Sequence, residues 1–224
     1  IGWPCYVLNN HDVVRSASRY TRSEDDQRLK VLATLLLTLR GTPFMYYGEE
    51  IGMRDIPIQQ KSDVLDPVGR RFWPFYKGRD GCRSPMQWNQ EKYAGFSNHQ
   101  PWLPVHDNYR WRNVSGQEKD PDSLLNFYKR LLKIRKSYPV FQGGMYMPIT
   151  FDPKKILAYL RQSNEQTALI ALNFSKKEVG LVLSSQLIKG DWKLLISNKR
   201  DALPVIHDRK VTLFENEAIV LIKE

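Results

Sequence analysis

The pattern of apolar and polar positions changes twice along the 224 residues. Near the start it shows a short apolar run at Cys5–Leu8, a longer apolar segment LKVLATLLLTLR, and the run FMYY before Gly48. Short apolar runs bounded by turn residues are typical of buried strands, and a longer apolar segment is typical of a buried helix. This order predicts a strand–helix–strand unit with parallel strands and a right-handed crossover.

Capping residues mark both ends of the predicted helix. Ser23 is a good N-cap, and Glu24, Asp25 and Asp26 suit the positive first turn of a helix. Gly41 suits the position just past the C-terminus.

From Gly48 to about Asp120 the periodicity disappears. A stretch this long without regular structure usually carries a site or covers one. Asp120 and Pro121 then predict the start of another helix, and Pro139 predicts its end. One apolar stripe follows the predicted start, formed by Leu124, Tyr128, Leu131 and Leu132.

After Gly143–Gly144 the pattern becomes a series of short apolar runs separated by turn formers. Many short strands in a segment of this size predict an antiparallel β-sandwich. We therefore expect a domain boundary near residue 145, with one domain at 1–145 and a second at 146–224. The predicted strands are ILAYLR, TALIALNF, EVGLVL, WKLLIS, KVTLF and AIVLI.

Composition excludes several classes of function. The net charge of +10 invites a nucleic-acid partner, but the basic residues are scattered among acids and no nucleic-acid motif is present. No apolar stretch approaches the roughly 18–20 residues needed to span a bilayer, so we expect no membrane association. Two cysteines make neither a disulfide framework nor a metal cluster, which favours a cytoplasmic location. Because the chain begins with Ile1, we interpret it as a fragment.

The strongest chemical signal is NNHD, directly after the first apolar run. In parallel α/β barrels the active site lies at the carboxyl ends of the strands. His11 could donate to a substrate hydroxyl, Asp12 could stabilise a developing positive charge, and Arg15 could hold a carboxylate ionised. The alternative is a structural polar cluster at the start of a loop, and spacing alone leaves both open.

A second signal is GRDGCRSPMQW, in which the Asp80–Gly81 turn presents Arg83 for recognition of carboxylates or vicinal hydroxyls. A loop salt bridge is the alternative. Glu49 and Glu50 are adjacent and point opposite ways on extended chain, so we interpret them as structural. We expect Trp102 to be a packed loop tryptophan rather than a sugar-stacking surface.

Five stretches in order resemble the α-amylase superfamily, glycoside hydrolase family 13, and above all its α-glucosidase and oligo-1,6-glucosidase members. The resemblance covers about residues 1–145, and the predicted sandwich follows where the family carries one. It implies an α/β plus all-β chain: the C-terminal part of a (β/α)8 TIM barrel, with strands 7 and 8, then an antiparallel β-sandwich. The stretches are VLNNHD, GTPFMYYGEEIGM, GRDGCRSPMQW, PWLPV and KDPDSLLNFYKRLLKIRK.

The resemblance also implies roles for individual residues. Asp12 would be the catalytic carboxylate that stabilises the transition state. His11 would form a hydrogen bond with the sugar ring whose glycosidic bond is cleaved. Arg83 would help to recognise the terminal glucose, and Arg15 would be a further basic residue of the substrate-binding site.

A retaining glycosidase also needs a nucleophile and an acid/base, and no stretch of this chain matches either motif. The resemblance therefore implies a fragment that is inactive alone, with a small oligosaccharide as partner and with neither metal nor cofactor. The exposed edges of its two barrel strands would allow self-association.

Two other classes remain open. Non-catalytic relatives of this fold serve as partner subunits of amino-acid transporters, but they tend to lose the motif that is intact here at Asn10, His11 and Asp12. The sandwich could alternatively be a separate sugar-binding module, although no specific residue favours this.

Overall fold

The computed structural model of the chain describes residues 2–22, 24–152 and 155–224. It divides into two compact units. The first unit comprises Ile1–Tyr6, Lys30–Pro43 and Phe127–Glu224, and the second comprises Val7–Leu29 and Phe44–Asn126. The domain boundary near residue 145 stays a prediction.

The predicted strand–helix–strand order is confirmed. The strands are β1 (Cys5–Val7) and β2 (Thr42–Phe44), which form a two-stranded sheet; between them lie α1 (Ser16–Tyr20) and α2 (Gln27–Thr38). The placement of the second strand in FMYY was wrong, since β2 contains only the first residue of that run. The strand lies earlier because the amide of Thr42 donates to the carbonyl of Pro4 at 2.8 Å. The pattern of apolar residues cannot predict this backbone hydrogen bond.

Helix α2 begins later than predicted. The expected N-cap, Ser23, lies outside the described residues, and the acidic residues precede the helix instead of occupying its first turn. The amide of Gln27 donates to Oδ1 of Asp25 at 3.0 Å, so Asp25 satisfies a backbone donor at the helix start.

Helix α2 ends at Thr38, so the prediction that Gly41 directly follows the helix was wrong, but the conformation of Gly41 does need glycine. Its φ is +149°, and a Cβ at this position would lie 2.5 Å from the carbonyl oxygen of Pro4. A side chain here would therefore clash with the backbone that precedes β1.

The segment between β2 and residue 120 contains no strand and consists of short helices joined by loops. Two small apolar cores lie in the second unit, one around Ile51 and Met53 and another around Ile56 and Val64. The short helices are the 3-10 helices Glu49–Ile51, Lys61–Asp63, Asp80–Arg83, Lys92–Gly95 and Asp107–Arg110, together with α3 (Pro67–Phe72) and α4 (Val114–Lys119).

Helix α5 (Leu124–Ser137) starts after the predicted Asp120–Pro121 cap. That prediction was wrong because Asp120 is the C-cap of α4 instead. The cap of α5 is Ser123, whose Oγ accepts a hydrogen bond from the amide of Asn126 at 3.2 Å.

The apolar stripe of α5 is mostly buried, as predicted for Leu124, Tyr128 and Leu131. Leu132 is 42% exposed, so its assignment to the stripe was wrong. The next helix, α6 (Pro139–Gly143), begins at Pro139, which confirms that this proline ends the preceding helix.

Residues after α6 form two antiparallel sheets, as predicted. The first sheet has the strand order β3-β4-β5-β10-β7, and the second has the order β6-β9-β8. The elements are β3 (Met145–Asp152), β4 (Ile156–Gln162), β5 (Thr167–Asn173), β6 (Val179–Val182), α7 (Ser185–Ile188), β7 (Lys193–Ser197), β8 (Ile206–His207), β9 (Lys210–Leu213) and β10 (Ala218–Lys223).

One apolar core joins the two sheets into a sandwich. Leu169 and Leu221 of the larger sheet belong to the same buried cluster as Val211 and Leu213 of the smaller sheet. Alternating inward-facing residues from two sheets are the usual core of a β-sandwich.

Two strands, β3 and β8, were not predicted from the sequence. β3 contains Pro148, which cannot donate to a sheet ladder, and its pairing with β4 shifts register between Pro148 and Thr150. β3 is also an edge strand, where such an interruption is tolerated. β8 has only two residues, too few for a periodic signal.

No helix in the described part of the chain is both long enough and apolar enough to cross a bilayer.

The apolar core shared by the two sheets of the sandwich leads to a prediction about stability. Leu169 is fully buried, so Leu169→Ala should lower the free energy of unfolding by about 2–5 kcal/mol through lost burial and the cavity left behind. Urea unfolding measures this, with Leu203→Ala as the matched control because Leu203 is 47% exposed. The control should change stability by less than about 0.5 kcal/mol. Equal effects of the two substitutions would contradict the assigned core.

Candidate active site

The loop after β1 presents His11 and Asp12 to solvent. The amide of Asp12 donates to Oδ1 of Asn10 at 2.8 Å, which closes a tight polar turn. The side chain of Asp12 is 49% exposed, and Nε2 of His11 lies 3.4 Å from its Oδ2. The turn therefore places an imidazole and a carboxylate side by side on an open surface.

Two guanidinium groups hold Asp12 from the other side. Nη2 of Arg83 donates to Oδ1 of Asp12 at 3.0 Å, and Nη1 of Arg79 approaches the same oxygen at 3.3 Å. Nε of Arg83 also donates to the backbone carbonyl of His11 at 2.8 Å. The structure thus brings together three of the residues singled out in the sequence, His11, Asp12 and Arg83.

Arg79 is a member of this cluster that sequence analysis missed. It is held by a bidentate pair with Asp66, since its Nε and Nη2 donate to the two carboxylate oxygens at 2.8 and 3.0 Å. The available signal was the first arginine of GRDGCR, which stands on the other side of the Asp80–Gly81 turn from Arg83.

Asp66 anchors this pair in the fold. Its side chain is buried, and its Oδ1 accepts from the amide of Val68 as the N-cap of α3. Hydrogen bonds from Arg79 hold the pKa of the Asp66 carboxyl far below its usual range, against the opposing effect of burial. Asp80 fixes the same backbone by accepting from the amides of Leu65 and Asp66 at 2.7 and 2.9 Å.

Two tyrosines fix the backbone on either side of Arg83. The hydroxyl of Tyr46 donates to the carbonyl of Cys82 at 3.2 Å, and that of Tyr47 donates to the carbonyl of Ser84 at 2.7 Å. Arg83 ends the 3-10 helix Asp80–Arg83, where sequence analysis expected a tight turn. Its direction towards Asp12 is therefore set by the contacts of its neighbours.

Arg15 supports these tyrosines instead of reaching the surface. Its side chain is fully buried, with the guanidinium carbon 4.9 Å from the ring centre of Tyr46 and 4.6 Å from that of Tyr47. Its Nη1 donates to the carbonyl of Tyr47 at 2.7 Å. The assignment of Arg15 to substrate binding does not agree with this position, because neighbouring rings cover the cation.

Glu49 and Glu50, the two acidic residues after β2, lie in different environments. Glu49 is buried, and Glu50 lines an open cavity. Burial raises the pKa of the Glu50 carboxyl, while nearby backbone amides and the Arg15 charge act in the opposite direction. The two carboxylates face different surroundings, in agreement with the interpretation that they do not act together.

The cavity beside Glu50 has a volume of about 550 Å³. It is lined by Arg83 and by the aromatic side chains of Trp88, Phe96 and Trp102. Trp102 is 78% exposed, so the expectation that it is a packed loop tryptophan was wrong.

Within residues 2–22, 24–152 and 155–224, no group of three or more His, Cys, Asp or Glu side chains is arranged to hold a metal ion.

Two family descriptions match this chain. That of the alpha amylase catalytic domain matches residues 1–144, and that of the maltogenic amylase C-terminal domain matches residues 149–217.

Similar curated proteins are glucosidases. The chain is 36% identical over 214 residues to probable oligo-1,6-glucosidase 3 of Bacillus subtilis, covering 84% of this chain and 38% of that protein. It is 40% identical over 178 residues to a probable alpha-glucosidase of Rhizobium meliloti, covering 78% of this chain and 32% of that protein. The chain therefore spans about two fifths or less of the length of these relatives.

Solved structures of similar fold include two sugar-converting enzymes. The trehalose-6-phosphate hydrolase of Bacillus licheniformis is 33% identical with a TM-score of 0.83, over all of this chain and 44% of that one. The trehalulose synthase of Pseudomonas mesoacidophila is 28% identical with a TM-score of 0.87, over all of this chain and 43% of that one.

The Asp66–Arg79 pair predicts how stability depends on pH. The folded-state pKa of Asp66 is lowered, so its contribution is complete above its unfolded pKa of about 3.9 and is lost as the pH falls towards the folded value. Asp66→Asn should therefore be less stable than the parent chain at pH 6, and the difference should shrink between about pH 5 and pH 2.

Urea unfolding across this pH range measures the difference. Asp107→Asn, on an exposed carboxylate of the same unit, is the matched control and should show little difference at any pH. A deficit of Asp66→Asn that stays constant down to pH 2 would contradict the assigned pair.

Proposed function

The chain belongs to the α-amylase family, and we propose that it is the C-terminal portion of a retaining glycoside hydrolase that cleaves terminal α-glucosidic bonds of oligosaccharides. The observation that carries this proposal is the exposed carboxylate of Asp12, oriented by two arginines on a surface next to an open cavity. Relatives named as oligo-1,6-glucosidases and α-glucosidases support the substrate class.

Asp12 is suited to stabilising charge. Glycoside hydrolysis passes through an oxocarbenium-like transition state, in which positive charge develops on the sugar ring. A carboxylate that is already fixed in place stabilises this charge without reorganising during the reaction. Arg79 and Arg83 provide that fixation, because both donate to the same oxygen and leave Oδ2 turned towards His11.

His11 and Arg83 are suited to binding the sugar. The imidazole of His11 is exposed beside Asp12, so its N–H can donate to a hydroxyl of the ring that Asp12 faces. The planar guanidinium of Arg83 offers several donors in a fixed geometry, which suits vicinal hydroxyls. Arg79 is a positioning residue, because it links Asp12 to the buried Asp66.

A retaining glycosidase needs a nucleophile and an acid/base with their carboxyl groups about 5 Å apart. We propose that both groups come from a part of the enzyme outside these 224 residues, in keeping with the 38% of a relative's length that the chain spans.

We also propose a cytoplasmic location, since the two cysteines are free. Self-association through the exposed edges of the barrel strands stays a prediction.

If the nucleophile and the acid/base lie outside this chain, the chain alone should be inactive. The purified 224-residue chain should not hydrolyse p-nitrophenyl α-glucoside, because a stabilising carboxylate without a nucleophile cannot form the glycosyl-enzyme intermediate. Release of p-nitrophenol measures this. Turnover that co-purifies with the chain and disappears in Asp12→Asn would contradict the proposed division of the catalytic groups.

The role of Asp12 is tested in the longer enzyme that the proposal implies. Asp12→Asn should lower kcat for an α-glucoside about 100- to 1000-fold, because the charge is lost while the shape of the side chain is kept. Asp201→Asn, at an exposed position of the sandwich, is the matched control and should leave kcat unchanged. An unchanged kcat in Asp12→Asn, with circular dichroism showing an intact fold, would remove Asp12 from the catalytic residues.

A further inference from the structure

A second open cleft lies beside the larger sheet of the sandwich, and Asp12 is not among the residues that line it. Its volume of about 620 Å³ lies within the range of roughly 300–1,000 Å³ that is usual for small-molecule sites. We call it the hairpin cleft, because one wall is the turn between β4 and β5. That wall carries Gln162, Asn164 and Glu165, and the opposite wall carries Pro139, Gly143 and Met145.

A buried cation fixes the wall between α6 and β3. Arg161 is fully buried, and its Nε and Nη2 donate to the carbonyl of Gly144 at 3.3 and 2.9 Å. Its Nη1 donates to the carbonyl of Thr38 in α2 at 2.7 Å. The amide of Gly144 donates to the carbonyl of Val140 at 3.1 Å. Because both backbone groups of Gly144 are bonded, this wall is already in place before a ligand arrives.

Backbone hydrogen bonds fix the opposite wall, the β4–β5 turn. The amide of Ser163 donates to the carbonyl of Gln166 at 2.9 Å, and the amide of Gln166 donates to Oγ of Ser163 at 3.1 Å. These two bonds close the turn and leave Asn164 and Glu165 exposed at its tip. The side chains at the tip are therefore presented from a fixed backbone.

Three polar side chains line the hairpin cleft and are available to a ligand. Gln162, Asn164 and Glu165 are exposed, and within the described residues their side chains make no hydrogen bond or ion pair. In the same turn, the buried Oε1 of Gln166 also has no hydrogen-bond partner in that part of the chain. Two amides and a carboxylate together offer both donors and acceptors.

We propose that the hairpin cleft binds a glucose unit of an oligosaccharide, at a site separate from the surface at Asp12. This site goes beyond the proposed function, because it takes no part in cleavage. Only the choice of glucose as the sugar rests on the proposed function.

The chemistry of a pyranose ring matches this cleft. Its hydroxyls both donate and accept hydrogen bonds, so they can pair with the amides of Gln162 and Asn164 and donate to the carboxylate of Glu165. The C–H groups on the face of the ring can pack on Pro139 and on Met145, which is 63% exposed. A few fixed polar groups beside apolar contacts are usual in small-molecule sites.

Other occupants match the hairpin cleft less well. An anion would face Glu165, and the nearby guanidinium of Arg161 is already bonded to Gly144. A metal ion would find one carboxylate, and the described residues contain no group of three or more His, Cys, Asp or Glu arranged to hold one. An organic cation would gain little from a single exposed carboxylate. An apolar occupant would desolvate the amides without pairing them, which is costly.

Binding to the isotope-labelled 224-residue chain tests the inference, because amide NMR signals locate the ligand. Isomaltose and maltose are the probes. We expect saturable shifts at the amides of the β4–β5 turn and of Gly143 and Gly144, which border the cleft. Replacing both amide side chains, by Gln162→Ala with Asn164→Ala, should weaken binding about tenfold because two hydrogen bonds are lost.

Gln186→Ala is the matched control, because Gln186 is an exposed glutamine of α7 that does not line the cleft. It should bind both disaccharides as the parent chain does. Circular dichroism should show the parent fold in every variant, since the replaced side chains are exposed. Each single substitution, Gln162→Ala or Asn164→Ala, repeats the comparison with a smaller expected effect.

Four results would overturn the inference. The first is the absence of saturable shifts at the cleft amides with either disaccharide. The second is an equal response to glycerol at the same concentration of hydroxyl groups, which would show a non-specific effect of polyols. The third is a loss of binding in Gln186→Ala as large as in the double variant. The fourth is tighter binding of the diamine putrescine, abolished by Glu165→Gln, which would indicate a cation site.

Failure of this inference and failure of the proposed function give different results. Asp12→Asn should leave the shifts at the cleft amides unchanged, because the two sites are separate. If the inference alone is wrong, the cleft amides do not respond to sugar and hydrolysis by the longer enzyme still depends on Asp12. If the proposed function is wrong, hydrolysis by the longer enzyme does not respond to Asp12→Asn, whatever the cleft amides show.

Discussion

The site depends on one guanidinium that joins a buried carboxylate to an exposed one. Arg79 is clamped by the carboxylate of Asp66, which also caps α3, and its remaining nitrogen reaches Asp12. Because Asp66 is buried and bonded to the backbone, the orientation of Arg79 follows from the fold and not from solvent contacts. An exposed carboxylate thereby acquires a fixed direction, which an isolated surface ion pair would not provide.

A second cation, the buried Arg15, has a comparable effect on the loop that carries Arg83. Its guanidinium contacts the rings of both Tyr46 and Tyr47, whose hydroxyls donate to the carbonyls on either side of Arg83. Covering a charge with aromatic faces recovers part of its lost hydration energy. The backbone around Arg83 is therefore supported by a cation that is itself fully buried.

Sequence patterns anticipated the architecture better than its details. The strand–helix–strand order, the antiparallel sandwich and membership of the α-amylase family are all confirmed, so the fold class is the C-terminal part of a (β/α)8 barrel followed by a β domain. The errors concern element ends and irregular strands. β2 lies before the run FMYY, α5 is capped by Ser123, and β3 was missed because Pro148 interrupts its ladder.

For the candidate site, the sequence by itself determined that His11, Asp12 and Arg83 were the residues to compare, and the structure places these three side by side. Only the tertiary structure decided that Arg79 joins them and that Arg15 lies beneath them. The reason is physical: both assignments depend on partners distant in sequence, Asp66 for Arg79 and the two tyrosines for Arg15. Periodicity and motif spacing report local conformation, whereas burial of a charge is settled by which distant groups surround it.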